Sequence, residues 1–243
     1  MKGKLFYSAL VAVTVLCFGM TALAATQVVV NGSTTVLPVA QAAAEAYMKS
    51  NSDVSISISG GGSGNGIKAL IDGTTDIANS SRFLKDKEVT SAMEKGVYPV
   101  PFRIAMDAIV PIVHPRNPVR DLTIEQLSLI YQGKIRNWKE VGGEDLQIVI
   151  VSRDTSSGTY EVWEEKVLHK AKVTPRAQLQ ASNGAVSQAV SRNRYAIGYI
   201  GFGYLNKDVK ALRVNGIEAT MESSSSASTP SPGLSSCSPG AGP

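Results

Sequence analysis

The feature that most restricts the fold is a unit that recurs: a short apolar run, a turn of small polar residues, then a helical pattern. It reads QVVVNGSTT ahead of a helix over Val36 to Met48, and VSISISGGGSGNG ahead of Ile67 to Ile71. Asp76 to Arg82, DIANSSR, repeats its first two parts, and IVIVSRDTSSGTY leads into YEVWEEKVLH. Alternation over Val54 to Ser59 has the period of two that a strand requires. Pro38 is tolerable in the first helix because it falls in the first turn, where a missing N–H costs nothing. Strand, polar turn and helix in repetition predict an α/β fold with a parallel sheet, and in such sheets ligands gather at the carboxyl ends of the strands.

The rest of the chain organises around that unit. VYPVPFRIAMDAIVPIVHP is strand-rich with few helix signals and is expected to carry the chain from one lobe to another. Thr123-Ile124-Glu125-Gln126 makes a capping box before LSLIYQG, where Gly133 stops the helix. A helix over Ala185 to Ser191 opens at Ser182-Asn183-Gly184, and the strand AIGYIGFGY after it is expected to return to the first lobe. From about Met221 the composition changes to ESSSSASTPSPGLSSCSPGAGP, which cannot bury a core and is expected to be disordered. The boundaries expected are a leader at 1–24, lobe 1 at 25–107, lobe 2 at 108–198, a return crossover at 199–220 and a tail at 221–243.

The leader follows from MKGKLFYSALVAVTVLCFGMTALAA: two lysines, an apolar stretch from Leu5 to Met20 and Ala22-Leu23-Ala24, the three parts of a secretory signal. Its apolar stretch is shorter than the roughly 20 residues of a membrane span. Leu16 before Cys17 is too bulky for a lipoprotein site, so cleavage after Ala24 and an exported, periplasmic location are expected. Without Lys2 and Lys4 the 24 basic residues fall to 22 against 20 acidic. A balance of about +2 with no basic run argues against nucleic acid as a partner. Cys237 alone remains after cleavage, which excludes an intrachain disulfide and a thiolate metal site. The two histidines, His114 and His169, have ordinary structural readings, His169 in the last turn of a helix.

Four turns share one chemistry: Ser33-Thr34-Thr35, the glycine turn with Ser63, Ser80-Ser81-Arg82, and Arg153 to Thr159. Taken singly, each reads as a helix cap. Together, with two arginines, they point to a tetrahedral oxyanion, which needs many convergent donors from hydroxyls, backbone N–H groups and a planar guanidinium. The glycine turn lacks the Gly-Lys-Ser/Thr of a nucleotide P-loop; Gly64-x-Gly66-x-x-Ala69 fits a dinucleotide fingerprint only loosely. No Gly-x-Ser-x-Gly elbow is present, and neither histidine lies beside these turns to activate a serine. A metal-dependent phosphatase would want clustered His and carboxylates in the turns.

On GSTTVLP, SGGGSGNGIKAL, TDIANSSR, LSLIYQGKIRNW, SRDTSSGT and SNGAVSQAV…AIGYIGFGY, from about Gln27 to about Leu212, the chain resembles the periplasmic phosphate-binding proteins of the bacterial Pst transporter. The resemblance implies a two-lobed class II periplasmic-binding-protein fold, α/β in class, with phosphate in the cleft between lobes and no reaction catalysed. It implies phosphate contacts from Thr34, Thr35, Ser63, Ser81, Arg153, Ser157, Gly158 and Thr159, with Ser33, Gly64 and Asp154 as further candidates. Asp154 is expected to orient Arg153 by pairing with it. The implied partners are inorganic phosphate and the membrane permease subunits of an ABC phosphate transporter, with no cofactor, no metal and a monomeric state. The alternatives are another oxyanion (sulfate, molybdate or tungstate) or a secreted phosphatase or esterase.

Two departures from that pattern stand out. Some family members carry Asp in the third turn, which accepts the proton of HPO4; here Ser81 stands there, followed by Arg82. A hydroxyl donates or accepts and so discriminates less sharply against sulfate. In the family the chain also finishes on the first lobe with further strand and a long helix, and here the Ser/Pro/Gly tail, composed like an out-of-frame reading of GC-rich DNA, takes that place. Lobe 1 is therefore expected to lack part of its core and the protein to be weakly stable, since bare apolar surface forfeits about 25 cal/mol per Å².

Overall fold

The computed structural model describes residues 25–220, so the expected leader and tail lie outside the described residues. Lobe 1 contains β1 (Thr26–Gly32), α1 (Leu37–Ser50), β2 (Val54–Gly60), α2 (Ser63–Ile71), β3 (Ile77–Asn79) and α3 (Asp86–Glu94). Its sheet is parallel in the order β2-β1-β3, with Val30 opposite Ile58 on one side and Ile77 on the other. The repeated strand–turn–helix unit thus folds as its pattern requires, and all three strands deliver their polar turns to one end of the sheet. α2 starts at Ser63, earlier than the apolar run suggests, so that serine sits in the first helical turn.

Gly32 draws the lobe 1 turns together. Its φ of 140° suits glycine, and a Cβ there would lie 2.0 Å from the carbonyl oxygen of Asn79. That close approach lets Ser33 N–H donate to Asn79 O at 2.8 Å, while Gly61 and Gly62 N–H both donate to Gly32 O.

Lobe 2 begins with β4 (Ile109–Val113), β5 (Asp121–Leu122) and α4 (Ile124–Tyr131), capped by the expected box at Thr123. It continues through β6 (Val149–Arg153), α5 (Gly158–Lys166), β7 (Gln178–Gln180), α6 (Asn183–Ser191) and β8 (Ala196–Gly201), and ends in β9 (Lys210–Ala211) and β10 (Arg213–Val214). Its main sheet runs β7-β6-β8-β4-β9, with β6 parallel to β7 and β8, and β4 antiparallel to β8 and β9.

This topology corrects the return crossover expected at 199–220. β8 lies between β6 and β4 with all six residues buried, β9 pairs with β4, β10 pairs with β5, and Leu212 joins the lobe 2 core. An apolar run buried on both faces seeks neighbours on both edges, and here both belong to lobe 2. Between the lobes, Val97 to Ala108 forms no strand; β4 starts only at Ile109, so twelve of the nineteen residues of the strand-rich stretch are an irregular connector. His169 lies beyond the end of α5, at φ 50°, rather than in its last turn.

Candidate functional site

The four polar turns meet where the lobes face each other, and they form two hydroxyl clusters. In the first, Ser63 Oγ accepts from the Ser81 N–H at 3.1 Å and lies 3.2 Å from Ser81 Oγ. Gly158, the first residue of α5, is pressed against both: a Cβ on it would lie 2.5 Å from Ser63 Oγ and 2.6 Å from Ser81 Oγ. In the second, Thr35 Oγ1 of lobe 1 lies 2.9 Å from Thr159 Oγ1 of lobe 2. Thr34 Oγ1 stands beside it, held by Asn183 at 3.0 Å.

α5 supplies donors because of how it begins. Ser157 caps it, its Oγ accepting from the Tyr160 N–H at 3.2 Å. The N–H groups of Gly158 and Thr159 lie in the first turn, where no intrahelical acceptor exists, and they carry the positive end of the helix dipole. Ser33 serves its own turn, its Oγ accepting from the Thr35 N–H.

Arg153 ends β6 with only 1% of its surface exposed. Nε donates to Gln180 O and Nη2 to Ala181 O, both at 3.0 Å, while Nη1 is buried with no hydrogen-bond partner. Burial lowers its pKa from the ordinary arginine value, opposed by nearby Asp154, yet a guanidinium keeps its proton at any physiological pH. A buried charge with an unpartnered N–H is costly unless an anion completes it. Beneath it lies an aromatic stack. Trp163 and Tyr199 are parallel at 4.4 Å, with Tyr131 edge-on to Trp163 at 5.2 Å, and the Tyr199 hydroxyl accepts from Arg153 N–H at 3.2 Å.

Two expectations about the site are corrected. Asp154 makes no ion pair with Arg153; its Oδ1 accepts from the Ser156 N–H at 2.8 Å and from Ser156 Oγ, and carbonyl oxygens hold the guanidinium instead. A carboxylate beside a serine N–H closes a local turn, which competes successfully with a reach across to its neighbour's side chain. Gly64 uses its N–H to donate to Ser156 O at 2.9 Å, so it holds the lobes together. The glycine turn owes its composition to that contact: at Gly62, with φ 96°, a Cβ would fall 2.7 Å from Ser156 O.

Arg82 closes the rim. Its guanidinium forks onto Glu88 in its own lobe, with both contacts at 2.8 Å, and Nε lies 2.9 Å from Glu161 Oε2 on α5. Lys85 Nζ reaches the same Glu161 oxygen at 2.8 Å. The Glu88 hydrogen bond raises the Arg82 pKa. Burial works to raise that of Glu88, but the Arg82 fork and the Lys85 N–H hold it below the usual carboxylate value.

Sequence reasoning missed Asn183, Glu161 and Tyr204. Ser182-Asn183-Gly184 was legible as a helix start, but nothing local shows that Asn183 would face Thr34 and Thr35. Tyr204 donates its hydroxyl to Thr34 O, a contact from the segment after β8 to lobe 1. Among the described residues, no group of three or more His, Cys, Asp and Glu side chains is placed to share a metal ion.

A family model described as a PBP superfamily domain matches residues 20–234. A solved structure from Clostridium perfringens, described as a phosphate ABC transporter substrate-binding protein with bound phosphate, is 44% identical. The match covers 81% of this chain and 79% of that one, with a TM-score of 0.75. An ABC-type phosphate transport receptor from Vibrio cholerae is 33% identical, covering 79% and 78%, with a TM-score of 0.61. Among curated proteins, the phosphate-binding protein PstS of Staphylococcus saprophyticus is 36% identical over 183 residues, 73% of this chain and 57% of that protein. Protein SphX of Synechococcus elongatus is 32% identical over 196 residues, 77% of this chain and 58% of its own length. The chain therefore spans less than two thirds of these curated relatives.

Proposed function

The chain belongs to the PBP superfamily, among the phosphate ABC transporter substrate-binding proteins, and from that premise we propose that it captures inorganic phosphate outside the inner membrane and passes it to the permease of an ABC importer. The observation that carries this reading is Arg153, a buried guanidinium with an unpartnered Nη1 at the head of the turn whose Gly158 and Thr159 pack against the two hydroxyl clusters. Phosphate would take Arg153 Nη1, the Gly158 and Thr159 N–H groups, and the hydroxyls of Thr34, Thr35, Ser63, Ser81, Ser157 and Thr159. Hydroxyls and N–H groups neutralise a dianion without excess charge, and exclusion of water between the lobes strengthens each bond. Binding, not turnover, is the output, and the protein works as an exported monomer after removal of residues 1–24.

Calorimetric titration tests the reading: phosphate binding is expected, and a folded sample that takes up no phosphate overturns it. Arg153→Ala should weaken binding by about 1.5–3 kcal/mol, the scale of a hydrogen bond to a charged group. Ser81 favours a second reading within the same fold. A hydroxyl in contact with Ser63 Oγ can donate to a fully ionised anion where a carboxylate would repel it, so sulfate and molybdate belong in the same titration.

A further inference from the structure

Asn183 is the first residue of α6, in lobe 2, and is fully buried. Its Oδ1 accepts from the Gly201 N–H at 3.1 Å, which fixes which end of the amide is oxygen and which is nitrogen. Its Nδ2 is thereby turned across the cleft, where it donates to Thr34 Oγ1 and to Thr35 Oγ1, each at 3.0 Å. The Asn183 backbone N–H also points at Thr34 Oγ1, at 3.4 Å. An amide nitrogen only donates, so both threonine oxygens are acceptors in these bonds and both threonine protons must go elsewhere.

We infer that Asn183 is a positioning residue that sets the proton direction of the Thr34–Thr35–Thr159 cluster, making it a set of donors suited to an anion. This rests on the proposed binding of phosphate. Thr35, accepting from Asn183, has its one proton to give, to Thr159 Oγ1 at 2.9 Å or to a ligand, and in the first case Thr159 turns its own proton outward. Thr34 likewise keeps its proton for a ligand. Because Asn183 is on lobe 2 and Thr34 and Thr35 are on lobe 1, the polarity is set only when the lobes meet. Lobe closure and the arming of the donors are one event, which couples phosphate capture to the closed form.

Phosphate titration of four proteins tests this: the unsubstituted chain, Asn183→Ala, Thr34→Val/Thr35→Val, and the combination. Asn183→Ala is expected to weaken phosphate binding roughly 10- to 100-fold, the range of a lost charge-assisted bond. In the double-valine background the same substitution should cost less than about twofold, because the hydroxyls it directs are gone. Equal losses in both backgrounds would reduce Asn183 to a packing residue and overturn the inference. Asn183→Asp keeps the shape and the Gly201 bond but puts an acceptor where Nδ2 stood; the hydroxyls then turn toward it, and binding should fall further than in Asn183→Ala. Asn183→Asp within threefold of the unsubstituted affinity would also overturn it, and this variant serves if the alanine form does not fold. Failure of the unsubstituted chain to bind phosphate would instead sink the proposed function itself.

Discussion

The two lobes contribute to one site from very different foundations. Among the described residues, lobe 2 buries a cluster of fifteen hydrophobic residues around Trp138, Trp163 and Tyr199, and a second of eight around Val110 and Val186. The buried cluster of lobe 1 is Ile67, Ile71 and Ala92, with Leu84 and Val97 packed at its margin. The cause is architectural. Among the described residues, the main sheet of lobe 2 has five strands with α6 packed on β6, β8 and β4, whereas the sheet of lobe 1 has three, and α1 buries Ala44 alone along its fourteen residues. Phe83, Tyr98 and Phe102 stand exposed on lobe 1 or the connector that leaves it. Labour divides accordingly: the charge and the helix N-terminus are mounted on the lobe with the larger core, while the thin lobe brings hydroxyls that lobe 2 then aims.

The sharpest break of that comparison is in the cores. Trp163→Ala should cost about 3–5 kcal/mol in urea unfolding and loosen Arg153 through Tyr199, whereas Ile67→Ala should cost about 2 kcal/mol. Equal losses would mean that lobe 1 is as well packed as lobe 2. The seam between the lobes comes next. Glu161→Gln removes the shared partner of Arg82 and Lys85 and should cost about 1 kcal/mol, the upper range for a partly exposed pair. Hydrogen exchange should then quicken in α3 and leave β6 unchanged.

The same seam has a pH dependence. Glu88 has a depressed pKa when folded, so its contribution is complete above its unfolded value of about 4.3 and is lost as pH falls through the folded value. Acidification should therefore loosen lobe 1 before lobe 2, and Glu88→Gln should abolish that order. The smallest effect tests the surface: Phe102 is 82% exposed, and Phe102→Ser should shift stability by no more than about 0.5 kcal/mol. A larger loss would place Phe102 in a core.

Much of the site was legible because its donors come from local chemistry. Ser157 caps α5 because a hydroxyl before a helical run finds the free N–H groups of the first turn, and the Thr123 box forms for the same reason. Arg153 was legible as one of two arginines in the hydroxyl-rich turns. Asp154 was misread because two near neighbours compete for it, and only the backbone path decides that Ser156 wins. The crossover assigned to 199–220 failed for a related reason: the apolar pattern of β8 says that it is buried on both faces, but not between which strands.

What the sequence alone determined is therefore the set of local units: strands ending in hydroxyl turns, helices opening on them, and a guanidinium among the hydroxyls. Periodicity, caps and glycines act over a few residues, and a linear string carries them in full. Only the tertiary structure decided that β8 belongs to lobe 2, that Glu161 ties down Arg82, and that Asn183 faces Thr34 and Thr35 across 149 and 148 residues of chain. Those pairings depend on where two sheets deliver their strand ends, and hydrogen-bond direction is set only once both partners have arrived.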